Sequence, residues 1–452
     1  MKILKFGGTS VKDAVAMRRV GEILEGEPGQ KIVVLSATAG TTDALLEMVD
    51  LASKGEMKKV SEIKNKLEKQ HQGIIKDLGL EKNQTLKKQI KDYFVRVEIF
   101  LLGIYYLREI TPRAKDAIVA HGELISTRIF ANYLQSIQKD CIWFDIRKVM
   151  KTNNQFGSAI PNRERLVELT DGLLHPLLNE HEIIVTQGFI GSTTEGLTTT
   201  MGRGGSDYTA ALLGYALNAE TIEIWTDVSG VMTADPRIVK EAFTQRDLSF
   251  QEAAELAYFG AKVLHPSTIQ PAMDKKIPVI VKNTLKPEDE GTTITYESKR
   301  PGVCKAIAFR GKIMILTVES TRMLMAYGFL ERIFDVFARH KISVDLISTS
   351  EISVSLTIDN SQFKDEIVQE LSEFSIVKVT KNMAIVSLIG HNIKSSPHFL
   401  NKVFSALDGI SIEMITFGTS NVNLSLVVPE SQLKESVERL HAAFFINDQK
   451  GA

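Results

Sequence analysis

The sequence predicts a three-layer α/β domain followed by two small ferredoxin-like βαββαβ units in tandem. Three observations carry this. Over about the first 300 residues, short Val- and Ile-rich runs alternate with segments of helical periodicity. Continuous apolar runs of this kind mark strands buried on both faces of a parallel sheet. A Pro- and Gly-containing stretch, KPEDEGTTITYESKRPG (286–302), then breaks the pattern. Beyond it the text repeats itself: KISVDLISTSEISVSLTI (341–358) is similar to GISIEMITFGTSNVNLSLVV (409–428) at an offset of about 68 residues.

The elements follow in order. Candidate strands of the first domain are KILKF (2–6), KIVVLS (31–36), EIIVTQ (182–187), TIEIWT (221–226) and PVIVKN (278–283). DYTAALLGYALNA (207–219) reads as a helix between two of them. Residues 54–92 are dense in Lys and Glu, with Val60, Ile63, Leu67, Ile74 and Leu78 at helical spacing. Because acids alternate with the lysines, the segment reads as a solvated helical hairpin rather than a basic nucleic-acid helix. In the repeats, FLERIFDVFARH (329–340) and FLNKVFSAL (399–407) are amphipathic helices, led in by strands IMILTV (313–318) and MAIVSLI (383–389). A second helix closes each copy, SQFKDEIVQELSE (361–373) and SQLKESVERLHAAF (431–444).

Bulk properties exclude several classes. With 452 residues and a net charge of −1, there is no electrostatic case for nucleic acid or an anionic membrane as partner. The most membrane-like segment, YFVRVEIFLLGIYYLREI (93–110), is broken by Arg96 and Glu98 and reads as a buried helix. The N-terminal text does not read as a signal peptide, because Gly7-Gly8 interrupts its short apolar run. Cys141 and Cys304 match no metal spacing and read as reduced, packed thiols of a cytosolic protein.

Chemistry concentrates in a few polar stretches. KFGGTS (5–10) places a cation, bare backbone and two hydroxyls directly after a strand, and such a glycine pair lets N–H groups approach phosphate oxygens. It is neither a Walker A loop nor the dinucleotide fingerprint. TTTMGRGGSDYTAALL (198–213) is a second glycine loop that turns into a helix, with Ser206 or Asp207 as the expected N-cap and Arg203 as a carboxylate fork. WTDVSGVMTADPR (225–237) leaves a strand with acids, hydroxyls, Gly and Pro, and FGAKVLHP (259–266) sets Lys262 in apolar surroundings. LSATAGTTDALL (35–46) leaves another strand through small hydroxylated residues. AHGELISTRIF (120–130) buries Glu123 in an apolar helical pattern, where a cationic partner is expected. Taken singly, each has a plainer reading: a turn, an N-cap, a surface arginine, a snorkelling lysine.

Together, KFGGTS, HGELIST, VTQGFIGS, TTTMGRGGSDYTAALL, WTDVSGVMTADPR and FGAKVLHP closely resemble the aspartate kinases, of the monofunctional lysine-sensitive type, within the amino-acid kinase superfamily. They occur in that family's order, and the repeats look like its tandem ACT domains. The resemblance implies a catalytic domain over 1–295 with a helical insertion at about 54–110, and ACT domains over 306–380 and 381–448. It implies phosphorylation of L-aspartate by Mg-ATP to 4-phospho-L-aspartate, the step that opens the route to lysine, threonine and methionine, with no fused homoserine dehydrogenase.

Residue roles follow from the same resemblance. Lys5 and the backbone of Gly7 and Gly8 would meet the transferring phosphoryl group, with Asp207 orienting Lys5. Arg203 would hold a substrate carboxylate and Glu123 the substrate ammonium, and Ser36, Thr42 and Ser206 would complete the aspartate pocket. Thr226, Asp227, Met232, Arg237 and Lys262 would line the ATP site, Met232 standing where the family often has tyrosine. Mg²⁺ would bind chiefly through phosphates and water, so no protein metal-ligand set is implied. L-Lysine as effector would meet Met323, Phe329, Leu330, Ser343, Val344, Asp345, Thr349, Ser350 and Glu351, in a cytoplasmic homodimer or homotetramer joined through the ACT domains. Asp345 and Glu351 also fit as plain exposed acids of a strand and a loop.

Overall fold

The computed structural model describes residues 1–260, 266–298, 303–320, 327–418 and 421–446. The chain forms two units: Met1–Val231 with Val263–Glu297, and Met232–Lys262 with Ser298–Ala452. Segment 232–262 therefore belongs with the C-terminal unit, although it lies inside the range 1–295 expected of the catalytic domain.

In the first unit the strand order is Cys141–Trp143, Ile183–Gln187, Lys31–Leu35, Lys2–Phe6, Thr221–Thr226, Val279–Asn283 and Thr292–Thr295. All neighbours are parallel except the last pair. The five strands read from sequence are present within a residue of their expected ends. Register brings Phe6 level with Leu35 and Trp225, and Leu35 level with Gln187. The carboxyl ends of four strands therefore share one edge, where α/β sheets hold ligands.

Helices 57–77 and 84–107 form the expected hairpin. Its inner face, Val60, Leu67 and Ile74 with Leu86, Phe94 and Val97, joins the core built on Leu4, Phe6 and Val33. The segment expected to be a buried helix is buried on one face only. Phe94, Val97, Leu101 and Ile104 point inward, while Ile99, Tyr106 and Leu107 are exposed. Among the described residues no helix is long and apolar enough to cross a membrane.

The second unit carries a six-stranded antiparallel sheet, ordered Ile347–Thr349, Ser353–Asp359, Ala306–Glu319, Ile376–Ile389, Asn423–Pro429 and Met414–Thr416. Each repeat packs two helices: Phe329–Arg339 with Asp365–Ser372, and Phe399–Ala406 with Leu433–His441. The repeats are similar in detail: Ser343 N–H donates to Gln362 Oε1 and Ser411 N–H to Gln432 Oε1, both at 3.2 Å. One feature departs from a simple tandem. The central strands Ala306–Glu319 and Ile376–Ile389 run through both repeats. Residues 313–319 pair with 353–359 in the first repeat, whereas 306–310 pair with 385–389. The fourth strand of the second repeat is thus supplied from ahead of the first.

Candidate active site

The shared sheet edge opens into a cavity of about 400 Å³. Its wall includes eight residues singled out from sequence: Lys5, Gly8, Ser36, Thr42, Glu123, Arg203, Ser206 and Asp207. Three local features build it. The strand Lys2–Phe6 ends in the glycine pair, and a Cβ on Gly8 would stand 2.8 Å from the Ala37 carbonyl oxygen, so only glycine lets these two loops meet. Helix Thr41–Ser53 starts at Gly40, and helix Gly205–Leu217 starts at Gly204, with φ of 78° and 74°. Both helices place first-turn residues in the cavity wall, so two positive helix ends converge there.

The side chains divide by charge. Lys5 Nζ pairs with Asp207 Oδ1 at 2.6 Å, both largely shielded from solvent. Ser36 Oγ donates to Ser206 Oγ at 3.0 Å, tying the two loops together. Arg203 lies exposed at the mouth and has no ion-pair partner among the described residues. Glu123 is buried on helix His121–Ser136. Its Oε1 accepts from the Ala37 N–H at 3.1 Å and its Oε2 is without a hydrogen bond. The cation expected beside it is absent among the described residues. Burial instead raises its carboxyl to about 8, against the pull of the Ala37 N–H. His121, two residues before it, bonds the Ala117 carbonyl through Nδ1 at 2.8 Å, a structural contact.

Several expected roles shift. The N-cap of the second helix is Gly204, so Ser206 and Asp207 lie in the first turn and are free to face the cavity. The N–H of Gly7 donates to the Trp225 carbonyl at 3.3 Å, and of the glycine pair Gly8 alone lines the cavity. Ser10 turns inward to Thr284 at 2.8 Å. Thr226 and Asp227 lie at the end of strand Thr221–Thr226, outside the cavity wall, and are bonded to each other at 3.2 Å. Met232 and Arg237 belong to the second unit, and the Arg237 guanidinium is engaged by Asp235. Lys262 and Met323 lie outside the described residues.

In the first repeat, Phe329 is in the core and Val344 packs against it, while Leu330, Thr349, Ser350 and Glu351 are exposed. Asp345 is not the exposed acid of the plainer reading. Its side chain is 4% exposed, with Arg310 Nη1 at 2.7 Å, and the Tyr258 hydroxyl donates to it at 3.2 Å. Burial pushes its carboxyl up against the pull of Arg310. Sequence reading missed these partners, and it also missed Thr38, Asp43 and Phe189 in the cavity wall. Thr38 and Asp43 fall in a polar stretch already singled out, but nothing local marks Arg310 or Tyr258, which lie 35 and 87 residues from Asp345.

Known proteins agree with this architecture. Residues 1–283 match the Amino acid kinase family, and residues 316–368 and 386–444 match the ACT domain. The lysine-sensitive aspartokinase 3 of Escherichia coli (strain K12) is 40% identical over 457 residues, covering 98% of this chain and 99% of that protein. The chloroplastic aspartokinase 3 of Arabidopsis thaliana is 37% identical, covering 99% of this chain and 82% of that protein. The crystal structure of E. coli aspartokinase III in complex with aspartate and ADP (R-state) matches with a TM-score of 0.84 at 39% identity, over 98% of this chain and 100% of that one. Its complex with lysine and aspartate (T-state) matches with the same TM-score at 40% identity, over 98% and 99% of the two chains. The chain belongs to the amino acid kinase family, and within it to the aspartokinases.

Proposed function

We propose that this chain transfers the γ-phosphoryl group of ATP to the side-chain carboxylate of L-aspartate, and that L-lysine regulates it through the C-terminal repeats. The observation that carries the catalytic reading is the charge layout of the cavity. A lysine and two helix N-termini are set for phosphoryl oxygens, Arg203 for a carboxylate, and the bare Glu123 Oε2 for an ammonium. An amino acid with a second carboxylate satisfies all three.

The chemistry asks little of the protein. A carboxylate oxygen of aspartate attacks the γ-phosphorus, the bond to the β–γ bridging oxygen breaks, and ADP leaves with that electron pair. The nucleophile carries no proton at neutral pH, so catalysis is positioning and charge neutralisation. Lys5, oriented by Asp207, offsets charge on the transferring group, and Gly8 offers backbone without a side chain in the way. Ser36, Thr42 and Ser206 complete the acceptor pocket. Mg²⁺ bound with the nucleotide would supply further positive charge at the phosphates. Phosphate oxygens and water are its proposed ligands. Thr226, Asp227, Met232, Arg237 and Lys262 are the proposed nucleotide contacts.

For regulation, Asp345, Ser343, Ser350 and Glu351 are the proposed polar lysine ligands, and Met323, Phe329, Leu330, Val344 and Thr349 are the other proposed effector contacts. Exposed Leu330, Phe334, Ile347 and Ile352 in the same repeat support pairing of two chains there, as a homodimer or a homotetramer.

An acceptor panel tests the catalytic reading. ADP release with Mg-ATP is expected to be fastest with L-aspartate among L-aspartate, L-glutamate, D-aspartate and succinate. A clear preference for another acid would overturn it.

A further inference from the structure

The loop that follows strand Lys31–Leu35 is held from behind by a residue that does not reach the cavity. His71, on helix Met57–Asp77, is fully buried, with its ring edge-on to Phe94 at 5.8 Å. Its Nδ1 lies 2.8 Å from the Leu67 carbonyl oxygen. A carbonyl only accepts, so Nδ1 carries the proton. Burial lowers the His71 pKa, which keeps the ring neutral and makes Nε2 an acceptor. The Thr38 hydroxyl, 3.2 Å away, therefore donates to Nε2. Its proton is then spent, so the Thr41 hydroxyl at 2.6 Å donates to Thr38 Oγ1. The bonds run in one direction: Thr41 to Thr38, Thr38 to His71, His71 to the Leu67 carbonyl. All three side chains are buried.

This chain fixes a turn with contacts on both sides of the reaction centre. Ala37 N–H holds Glu123, and Ala39 N–H donates to the Gly8 carbonyl at 3.1 Å. Thr41 N–H closes the turn on the Thr38 carbonyl at 3.0 Å. Thr42, next along, lines the cavity.

We propose that His71 is a positioning residue for the carboxylate substrate: through Thr38 and Thr41 it sets the turn that places Ala37 against Glu123 and Thr42 in the acceptor pocket. The proposal rests on the carboxylate-kinase reading above. It gives the Lys-rich helical hairpin a catalytic purpose, since that element supplies an acceptor that orients the turn from behind. Neutral imidazole suits the task because one nitrogen donates while the other accepts, across a rigid ring.

The test is steady-state kinetics of His71→Leu with both substrates varied. The KM for aspartate is expected to rise about tenfold, the value of one lost buried hydrogen bond with its stranded partner, while the KM for ATP moves by less than about twofold. In the same background Thr38→Val is expected to add little, because both changes cut one chain. Thr38→Ser, which keeps the hydroxyl, is expected to recover most of the affinity lost in Thr38→Val. An unchanged aspartate KM in His71→Leu, or equal rises for both substrates, would overturn the proposal. If His71→Leu does not fold, the Thr38 pair decides, and equal KM values for Ser and Val would overturn it. A wild-type protein that prefers another carboxylate would remove the aspartate reading alone, and the same KM comparison would then be made with that acceptor.

Discussion

Glu123 holds the most informative single atom of the site. A buried carboxylate oxygen with no partner costs free energy, and that cost is recovered when a cation arrives. With its carboxyl raised to about 8, Glu123 is protonated in the free protein at neutral pH and ionises as it meets an ammonium. The sign follows: the neutral form dominates below about 8, so aspartate binding strengthens as pH rises toward that value and then levels off. Glu123→Gln is expected to raise the aspartate KM roughly 10- to 100-fold and to flatten this pH profile between pH 6 and 8. A profile unchanged by the substitution would contradict the role. Lys5→Ala removes the charge that meets the phosphoryl group and is expected to lower kcat at least about a hundredfold. Circular dichroism should show the fold retained, because the side chain lies at the cavity wall. At this scale the sequence was legible where residue type and motif coincide, as for Lys5, Arg203 and Asp207. It was not legible where a contact spans the chain: no local pattern shows that Glu123 faces a backbone N–H instead of a cation, or that Arg310 holds Asp345.

Among the elements, the glycine loops set the geometry. A methyl group at Gly8 would press the Ala37 carbonyl oxygen at 2.8 Å, and Gly188 lets the start of helix Gly205–Leu217 approach, since a Cβ there would meet the Ser206 Cβ at 2.5 Å. Gly8→Ala is expected to cost about 1–3 kcal/mol of stability in a denaturant titration and to lower kcat/KM by at least about tenfold, because loop 36–40 must move. Wild-type stability and turnover in that variant would show that the close approach is not needed. The five strands read in the first domain were legible to within a residue because burial on both faces leaves a plain pattern, whereas the strands read at 313–318 and 383–389 extend to Ala306–Glu319 and Ile376–Ile389 and the helix read at 361–373 is Asp365–Ser372. The exchanged edge of the repeats was not legible. Residues 306–310 and 313–319 form one strand whose two halves pair in different repeats, and β-pairing of that kind is set by register across the sheet, not by local composition.

On the scale of the whole molecule, the second unit contains more than its repeats. The segment 232–262, with three of the proposed nucleotide contacts, is part of it: the Ile307 N–H donates to the Thr233 carbonyl at 2.7 Å, and Thr233 Oγ1 bonds His441 Nε2 at 2.9 Å. Under the proposed regulation, an effector that reshapes the first repeat would act on the body that also carries Met232 and Arg237, and through these proposed nucleotide contacts it would reach turnover. Asp345→Asn weakens the proposed ammonium contact. It is expected to raise the lysine concentration for half-inhibition by at least about tenfold, measured as a lysine titration of ADP release. Unaltered lysine inhibition in that variant would move the effector site elsewhere.

The most direct test of the central claim is ADP release from Mg-ATP on adding L-aspartate, with hydroxylamine present to trap the acyl phosphate. The account predicts ADP and aspartyl hydroxamate in equal amounts. ATP consumption that aspartate does not stimulate, or ADP without hydroxamate, would contradict it.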